Sequence, residues 1–363
     1  MDLQPGDQLR DAASARRKGA MVVCSDNSWL WQSAFVLRQA IDSDPERRLD
    51  YYYACDFDAS ESPLARLLPP EVTVMDLRGE LVGMNYRQRN HIPKAGFLRF
   101  LALEKLSEKY EQAIYVDGDI FLCWGSWVDL VDLPGRCHAV AAVASRSVWF
   151  DRAHWRYGRR YRRSLSVQMG DRYLNSGVLL VDGKAYRSER IAERSMEFYQ
   201  LNPDLCPQDD QSALNGVLQG EWDELSPSWN WQVSQFNFPT LKTATPRAIH
   251  FTGPIKPWSD THGLFSTALE AMLGFLVRRG AIDSAVEIIS QLAPGNPASH
   301  RLAAFRESWV DRADAKADSF KNYLRRDFLD TRAGLSIFAH TQSGFGELRA
   351  PNLEMATLHG TTP

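Results

Sequence analysis

No two of the five cysteines (Cys24, Cys55, Cys123, Cys137, Cys206) stand at Cys-x-x-Cys spacing, so neither a zinc knuckle nor a disulfide framework is indicated. They are expected to be reduced and mostly buried. An excess of charge is lacking too: the formal net charge is -3, which gives no overall attraction to nucleic acid. No apolar run approaches the roughly 18 residues that a membrane-spanning helix requires. The first twenty residues, MDLQPGDQLRDAASARRKGA, contain no apolar stretch of the kind a secretory signal needs. The expected location is therefore the cytoplasm, with peripheral contact at the inner face of a membrane left open. Internal repeats and low-complexity blocks are absent as well. What is present is 363 residues with 44% hydrophobic and 24% charged content, enough for one large α/β unit and an appendage.

Strand-like and helix-like segments alternate along the first half. The run AMVVCS (Ala20 to Ser25) stops at Asp26, and WLWQSAFVLRQAI then carries apolar residues at helical spacing. LDYYYACD (Leu49 to Asp56) predicts a second strand, SPLARLLPP a short helix ended by prolines, and EVTVMDL a third strand. From Pro93 to Tyr110 the spacing predicts a helix with Phe97, Phe100, Leu101, Leu103, Leu106 and Tyr110 mostly on one side. It leads into QAIYVDGDIFL, read as one buried strand. Asp129 to Val148 shows no clear period, and DRAHWRYGRRYRR (Asp151 to Arg163) reads as a loop or irregular helix. Strands return at SGVLLVD and RAIHFTG, with a helix at DDQSALNGVLQ. After about Trp258 the segments FSTALEAMLGFLVRRG, AIDSAVEIISQLA and HRLAAFRESWVDRADAKADSFKNYLRRDFL are helical in pattern. The expected division is a polar extension over 1–19, a catalytic α/β unit over 20–262, a helical region over 263–330 and a mixed tail over 331–363. Such alternation implies a mostly parallel sheet with helices on both faces.

In an open α/β sheet, ligands bind beyond the carboxyl ends of the strands. Asp117 and Asp119 lie where AIYV runs out, and alternation along an extended chain points both carboxylates the same way, with Gly118 removing bulk between them. Two such carboxylates repel unless a cation sits between them, and hard oxygen ligands suit Mn2+ or Mg2+. By itself Asp-Gly-Asp is equally a strand followed by a turn. It also resembles the phosphatases of the haloacid dehalogenase family, whose first aspartate is a nucleophile. Against that, Phe121 stands where that family tends to have threonine or valine, and three strand-like runs come first.

Three further stretches bear on the choice. In HFTGPIKPW (His250 to Trp258), His250 is suited to complete a metal site, Gly253 to admit a diphosphate close to the backbone, and Lys256 to offer it a fixed positive charge. Alone, His250 is better explained by an ordinary turn with a half-buried histidine; the ensemble is not. In YLNSGVLLVD, Asn175 stands at a strand mouth where its amide is placed for sugar hydroxyls. In DDQSALN, Asp210 and Gln211 open a helix and are placed to meet a sugar, whereas capping explains Asp209 as well.

Taken in order, "SDNSW", "KAGFLRF", "YVDGDIFL", "YLNSGVLLVD", "PQDDQSALN" and "HFTGPIKPW" resemble the family 8 glycosyltransferases, over roughly Ala20 to Trp258. The resemblance implies a GT-A fold and a retaining, metal-dependent transfer of a hexose, galactose or glucose, from a UDP-sugar to a saccharide or glycolipid hydroxyl. It implies that Asp117, Asp119 and His250 bind Mn2+. Asp26 and Trp29 would hold uracil and ribose, with Gly118 lying between the metal-binding aspartates. Arg99, Asn175, Asp210 and Gln211 would surround the sugar, and Gly253 and Lys256 the diphosphate. Asp210, Gln211 and Lys256 are the residues expected to act in catalysis. Two departures stand out: Ser28 and Trp29 replace a common asparagine-tyrosine pair, and Ser212 replaces a common acid, which bears on donor choice. A non-catalytic nucleotide-sugar binder of the same fold is the remaining alternative. The arginines of DRAHWRYGRRYRR are suited either to clamp an anionic acceptor or to form a solvated basic loop. AMLGFLVRRG is either a membrane-docking surface or, more simply, an amphipathic helix packed on the main unit.

Overall fold

The structure, a computed structural model, describes residues 19–87, 94–149, 172–233, 246–253, 255–260 and 265–292. The arginine-rich segment 151–163, the third helical run from His300, the polar extension before Gly19 and the tail over 331–363 lie outside the described residues. Strand β1 (Gly19–Cys24) is followed by a single 3-10 turn (Asn27–Trp29) and helix α1 (Leu30–Asp42). β2 (Leu49–Cys55) and β3 (Val72–Asp76) come next. Between them SPLARLLPP forms a single 3-10 turn (Ala65–Leu67) rather than a helix, because Pro63 and the Pro69-Pro70 pair leave too few consecutive amides for an α-helical ladder. Helix α2 (Leu98–Ser107) starts later than its pattern predicts, after a 3-10 turn over Lys94–Phe97. It is buried on more than one side: Leu98, Arg99, Phe100, Ala102, Leu103 and Leu106 are inside, whereas Leu101 is only half-buried.

The expected single strand through the Asp-Gly-Asp motif is in fact two. β4 (Gln112–Val116) lies in the large sheet and β5 (Ile120–Leu122) in a small one. Pairing partners explain the break. Val116 is still in register with Val178, and the Asp117 amide donates to the Gly177 carbonyl at 2.8 Å. From Ile120 the chain pairs instead with the strand that carries His250, which is directly opposite Ile120. Residues 117–119 are the step between two ladders.

β6 (Val140–Ala144) was not marked by any periodic signal, since its VAAVA is uniformly apolar. β7 (Leu174–Asp182), α3 (Ile191–Leu201) and α4 (Asp209–Leu218) follow, and then the short strands β8 (Asp223–Glu224), β9 (Trp231–Val233) and β10 (Ala248–Phe251). Among the described residues the large sheet has seven strands in the order β3-β2-β1-β4-β7-β6-β8, and the small one runs β5-β10-β9. β7 alone runs against its neighbours β4 and β6; the β1, β2, β3 and β4 pairings are parallel, as is that of β6 with β8. The fold is the mixed, mostly parallel α/β sheet flanked by helices that the alternation implies.

Helices α5 (Ser266–Arg278) and α6 (Ile282–Leu292) follow the sheets. In α5, Met272, Phe275 and Leu276 are buried, and Phe275 meets Phe35 of α1 edge to face at 5.6 Å between centroids. Just beyond it, Arg279 donates to the carbonyls of Arg66 at 3.0 Å and Leu68 at 2.9 Å. AMLGFLVRRG thus has its apolar face packed on the main unit. Among the described residues no helix is long and apolar enough to cross a membrane. Four cysteines are buried free thiols and Cys137 is an exposed one.

Candidate active site

Asp117, Asp119 and His250 converge at the step between the two sheets, each offering a ligand atom within 4.8 Å of the others. His250 Nε2 lies 3.2 Å from Asp119 Oδ1 and 3.6 Å from Asp117 Oδ2. An octahedral divalent ion with bonds of about 2.1 Å separates adjacent ligand atoms by about 3 Å, so the spacing fits. The donor set of two carboxylate oxygens and one imidazole nitrogen suits a small, hard to borderline cation. Backbone pairing enforces the convergence: the Phe251 amide donates to the Asp119 carbonyl at 3.1 Å, one residue beyond His250. Gly118 packs at the start of α1, where a Cβ would lie 3.1 Å from Ser33 Oγ.

Lys256 Nζ reaches Asp119 Oδ2 at 2.6 Å and also donates to the Phe251 carbonyl. Burial alone would raise the Asp119 carboxyl; the Lys256 ammonium above all overcomes it and holds the group below the ordinary carboxylate range. On the other side, the buried Arg99 guanidinium spans 3.2 Å to Asp117 Oδ1 and 3.0 Å to Asp210 Oδ2. Its Nε proton is directed to the Gly96 carbonyl at 2.9 Å, so the Asp210 contact is an ion pair more than a hydrogen bond. Burial opposes the Arg99 charge, and Asp117 and Asp210 more than offset it. The Tyr115 hydroxyl donates to Asp117 Oδ1 at 2.5 Å, and its ring lies 4.4 Å beneath the guanidinium.

Asp210 differs from Asp119 in sign. Burial pushes its carboxyl from 3.8 up to about 6, with Arg99 countering only in part. Between those two values the folded chain holds a proton that the unfolded chain has released, so this group destabilises the fold progressively as pH rises through the window and fully above it. In metal-free protein the expected cost is about 3 kcal/mol by pH 7. Asp210→Asn should flatten the pH dependence of urea unfolding between pH 4 and 6.5; an unchanged slope would refute the assignment.

Three polar side chains extend the cluster in series from His250. His250 Nδ1 meets Asn230 Oδ1 at 2.9 Å, and Asn230 Nδ2 donates to Asn175 Oδ1 at 2.7 Å. Asn175 Nδ2 donates to Gln211 Oε1 at 3.0 Å. Gln211 Oε1 also accepts from the Ser176 amide at 3.3 Å. Sequence reasoning missed Asn230 and Gly177. A Cβ on Gly177 would come within 2.3 Å of His250 Cε1, so this strand glycine makes room for the imidazole. The isolated glycine in the apolar strand SGVLLVD was the available signal; Asn230 had none.

The remaining expected residues are spread around this centre. Trp29 is half-buried, 5.3 Å edge to face from Trp258, with Lys256 5.8 Å from its ring centroid. Asp26 caps the turn, accepting from the Ser28 amide at 2.9 Å and its hydroxyl at 2.5 Å. Gly253 is buried two residues past β10. Ser212, by contrast, is fully buried beneath the start of α4: its hydroxyl accepts from the Gln208 amide at 2.9 Å and lies 3.2 Å from Tyr173 Oη. Asp209 is not the helix cap; it is the first helical residue and accepts from the Tyr199 hydroxyl at 3.3 Å. A surface depression of 600 Å³ between Tyr110, Lys184 and Arg187 lies at the opposite end of β4, away from this chemistry.

A mixed sheet that ends in paired aspartates and a histidine defines the class as a GT-A glycosyltransferase fold. Consistent with this, the solved galactosyltransferase LgtC in complex with donor and acceptor sugar analogues aligns with a TM-score of 0.57 at 20% identity, covering 72% of this chain and 95% of that one. The model of glycosyl transferase family 8 matches residues 46–262, and the chain belongs to that family. General stress protein A of Bacillus subtilis is 29% identical over 190 residues, which span 48% of this chain but only 62% of that protein. The lipopolysaccharide 1,3-galactosyltransferase of Salmonella typhimurium is 24% identical over 250 residues, 64% of this chain and 71% of that one. The haloacid dehalogenase reading of the aspartates is thereby not favoured.

Proposed function

We propose that the protein transfers a hexose, galactose or glucose, from a UDP-sugar to a hydroxyl of a saccharide or glycolipid, with retention and with Mn2+ as the cofactor. The observation that carries this reading is the convergence of Asp117, Asp119 and His250 beside Lys256 and Arg99 within a family 8 frame. When bound, the ion supplies Lewis-acid stabilisation of the leaving diphosphate. Lys256 adds a fixed positive charge where negative charge develops, and Gly253 gives the diphosphate backbone access. Trp29 and Asp26 take the nucleoside, Asn175, Asp210 and Gln211 the sugar. Arg99 reaches both Asp117 and Asp210 and offsets their charge within the site. In this reading the catalytic unit is 20–262, and α5 after it buttresses α1.

The polarity of Gln211 bears on the chemistry. Its carbonyl oxygen already accepts two hydrogen bonds and is therefore a weak nucleophile, while Asp210 is buried against Arg99. Both observations favour attack by the acceptor on the face the phosphate leaves, with a phosphate oxygen taking the acceptor proton, over a covalent sugar-enzyme intermediate. Incubation with a panel of UDP-sugars should release UDP from UDP-galactose or UDP-glucose in Mn2+ and none in EDTA. No release from any donor, or release that survives EDTA, would sink the reading; a glycosylated Gln211 seen by intact mass would overturn the same-face route alone.

A further inference from the structure

We propose that Asn230 is the positioning residue that sets the tautomer of His250 and, through Asn175, couples it to Gln211. The proposal rests on the metal-dependent reading above. It starts from one-way donors. A side-chain amide can be turned end for end, but a backbone N–H cannot accept a hydrogen bond. Here two backbone amides fix the polarity of the whole series. The Gly177 amide donates to Asn175 at 3.0 Å, so the atom there is Oδ1, and Asn175 Nδ2 must face Gln211. The Ser176 amide faces Gln211 at 3.3 Å, which requires Oε1 at that point. Both ends therefore agree on the orientation of Asn175.

With Asn175 Oδ1 fixed, Asn230 can meet it at 2.7 Å only through Nδ2. Asn230 then presents Oδ1 to His250 Nδ1 at 2.9 Å, and that nitrogen must carry a proton. The consequence falls on the other side of the ring: of the two neutral tautomers, Nδ1–H is the one that leaves a lone pair on Nε2, toward Asp117 and Asp119. The two carboxylates by themselves favour the opposite tautomer, in which Nε2–H would donate to them and bind no metal. Asn230 opposes that preference, as outer partners of metal-binding histidines do.

Packing makes Asn230 able to hold the ring. It is fully buried between Trp229 and Trp231, themselves fully buried against Trp127 and Trp149. β9 begins at Trp231 and pairs with β10 so that Gln232 is in register with His250. The amide has no room to turn away, and the bare Gly177 leaves the imidazole its place.

Two variants separate this role from simple support of the fold. Asn230→Leu removes the acceptor for Nδ1–H. Asn230→Asp keeps that acceptor but cannot donate to Asn175. Long-range proton-nitrogen NMR on metal-free, 15N-histidine-labelled full-length protein, recorded at a pH high enough for His250 to be neutral, should give the Nδ1–H pattern for His250 in the wild type and Asn230→Asp, and the Nε2–H pattern in Asn230→Leu. Mn2+ titration followed by the EPR signal of the free ion should show affinity about 10- to 100-fold lower in Asn230→Leu, and wild-type affinity in Asn230→Asp. UDP release should fall in both, because Asn230→Asp loses the anchor of Asn175 and Gln211. Wild-type tautomer and Mn2+ affinity in Asn230→Leu, or an Nε2–H pattern in the wild type, would overturn the proposal. If Asn230→Leu does not fold, loss of the Nδ1–H pattern in folded Asn230→Asp does the same. A wild type that takes up no Mn2+ defeats the metal reading instead, and the metal-free tautomer pattern still decides the role of Asn230.

Discussion

Asp119→Asn is expected to lower Mn2+-supported UDP release by about 10³-fold, the scale on which removal of a charge-stabilising group acts in such sites. The substitution keeps shape and removes charge. Of the two carboxylates proposed as metal ligands, Asp119 is the more buried, and it lies 3.2 Å from His250 Nε2 and 2.6 Å from Lys256 Nζ. A neutral amide at this position leaves the cation held by Asp117 and His250 alone, and leaves Lys256 beside an amide with no charge to pair with. Two effects therefore fall on one residue, and excess Mn2+ should restore little of the lost rate. Circular dichroism should show the variant folded, since the backbone bond from Phe251 to the Asp119 carbonyl does not involve the side chain. Wild-type release from folded Asp119→Asn, or equal rates in EDTA, would remove the metal from the mechanism.

Gly177→Ala should have the next largest effect, although Gly177 offers no side chain to any substrate. The added methyl would approach His250 Cε1 to 2.3 Å, His250 Nδ1 to 2.6 Å and Asn175 Oδ1 to 2.9 Å. The ring cannot yield without losing Asn230, and the Gly177 carbonyl cannot move without releasing the Asp117 amide at 2.8 Å. Overpacking of this kind costs about 1–3 kcal/mol. The expected result is a melting temperature lower by several degrees together with Mn2+ affinity reduced about 10- to 100-fold. A thermal shift assay with and without Mn2+ reads both. Unchanged affinity at a lowered melting point would mean that His250 does not serve the metal.

The tracts buried on both faces were legible because their composition is extreme. AMVVC and LDYYYAC read as strands, and the paired aspartates, histidine and lysine were singled out by residue type together with the order of motifs that resembles family 8. VAAVA and the three-residue strand WQV were not legible: one is mostly alanine, which suits a helix as readily as a strand, and the other is too short to show any period. YVDGDIFL misled for a related reason. A single apolar run looks like one strand whether its two halves pair with one partner or with two.

The sequence by itself determined which chemistry is available: two carboxylates two residues apart, an imidazole, a lysine and an arginine, on a chain whose alternating segments form a mostly parallel sheet. Tertiary structure alone decided how they act together. Asp119 and His250 are 131 positions apart in the chain and meet because β5 pairs with β10. Asn230 carries no signal in the sequence and Gly177 only that of an isolated strand glycine, and the roles proposed for them arise from hydrogen-bond direction and empty volume. Both are properties of neighbours brought together by folding. A string of residue types records what each side chain can donate or accept, but only the packed chain fixes which partner receives it.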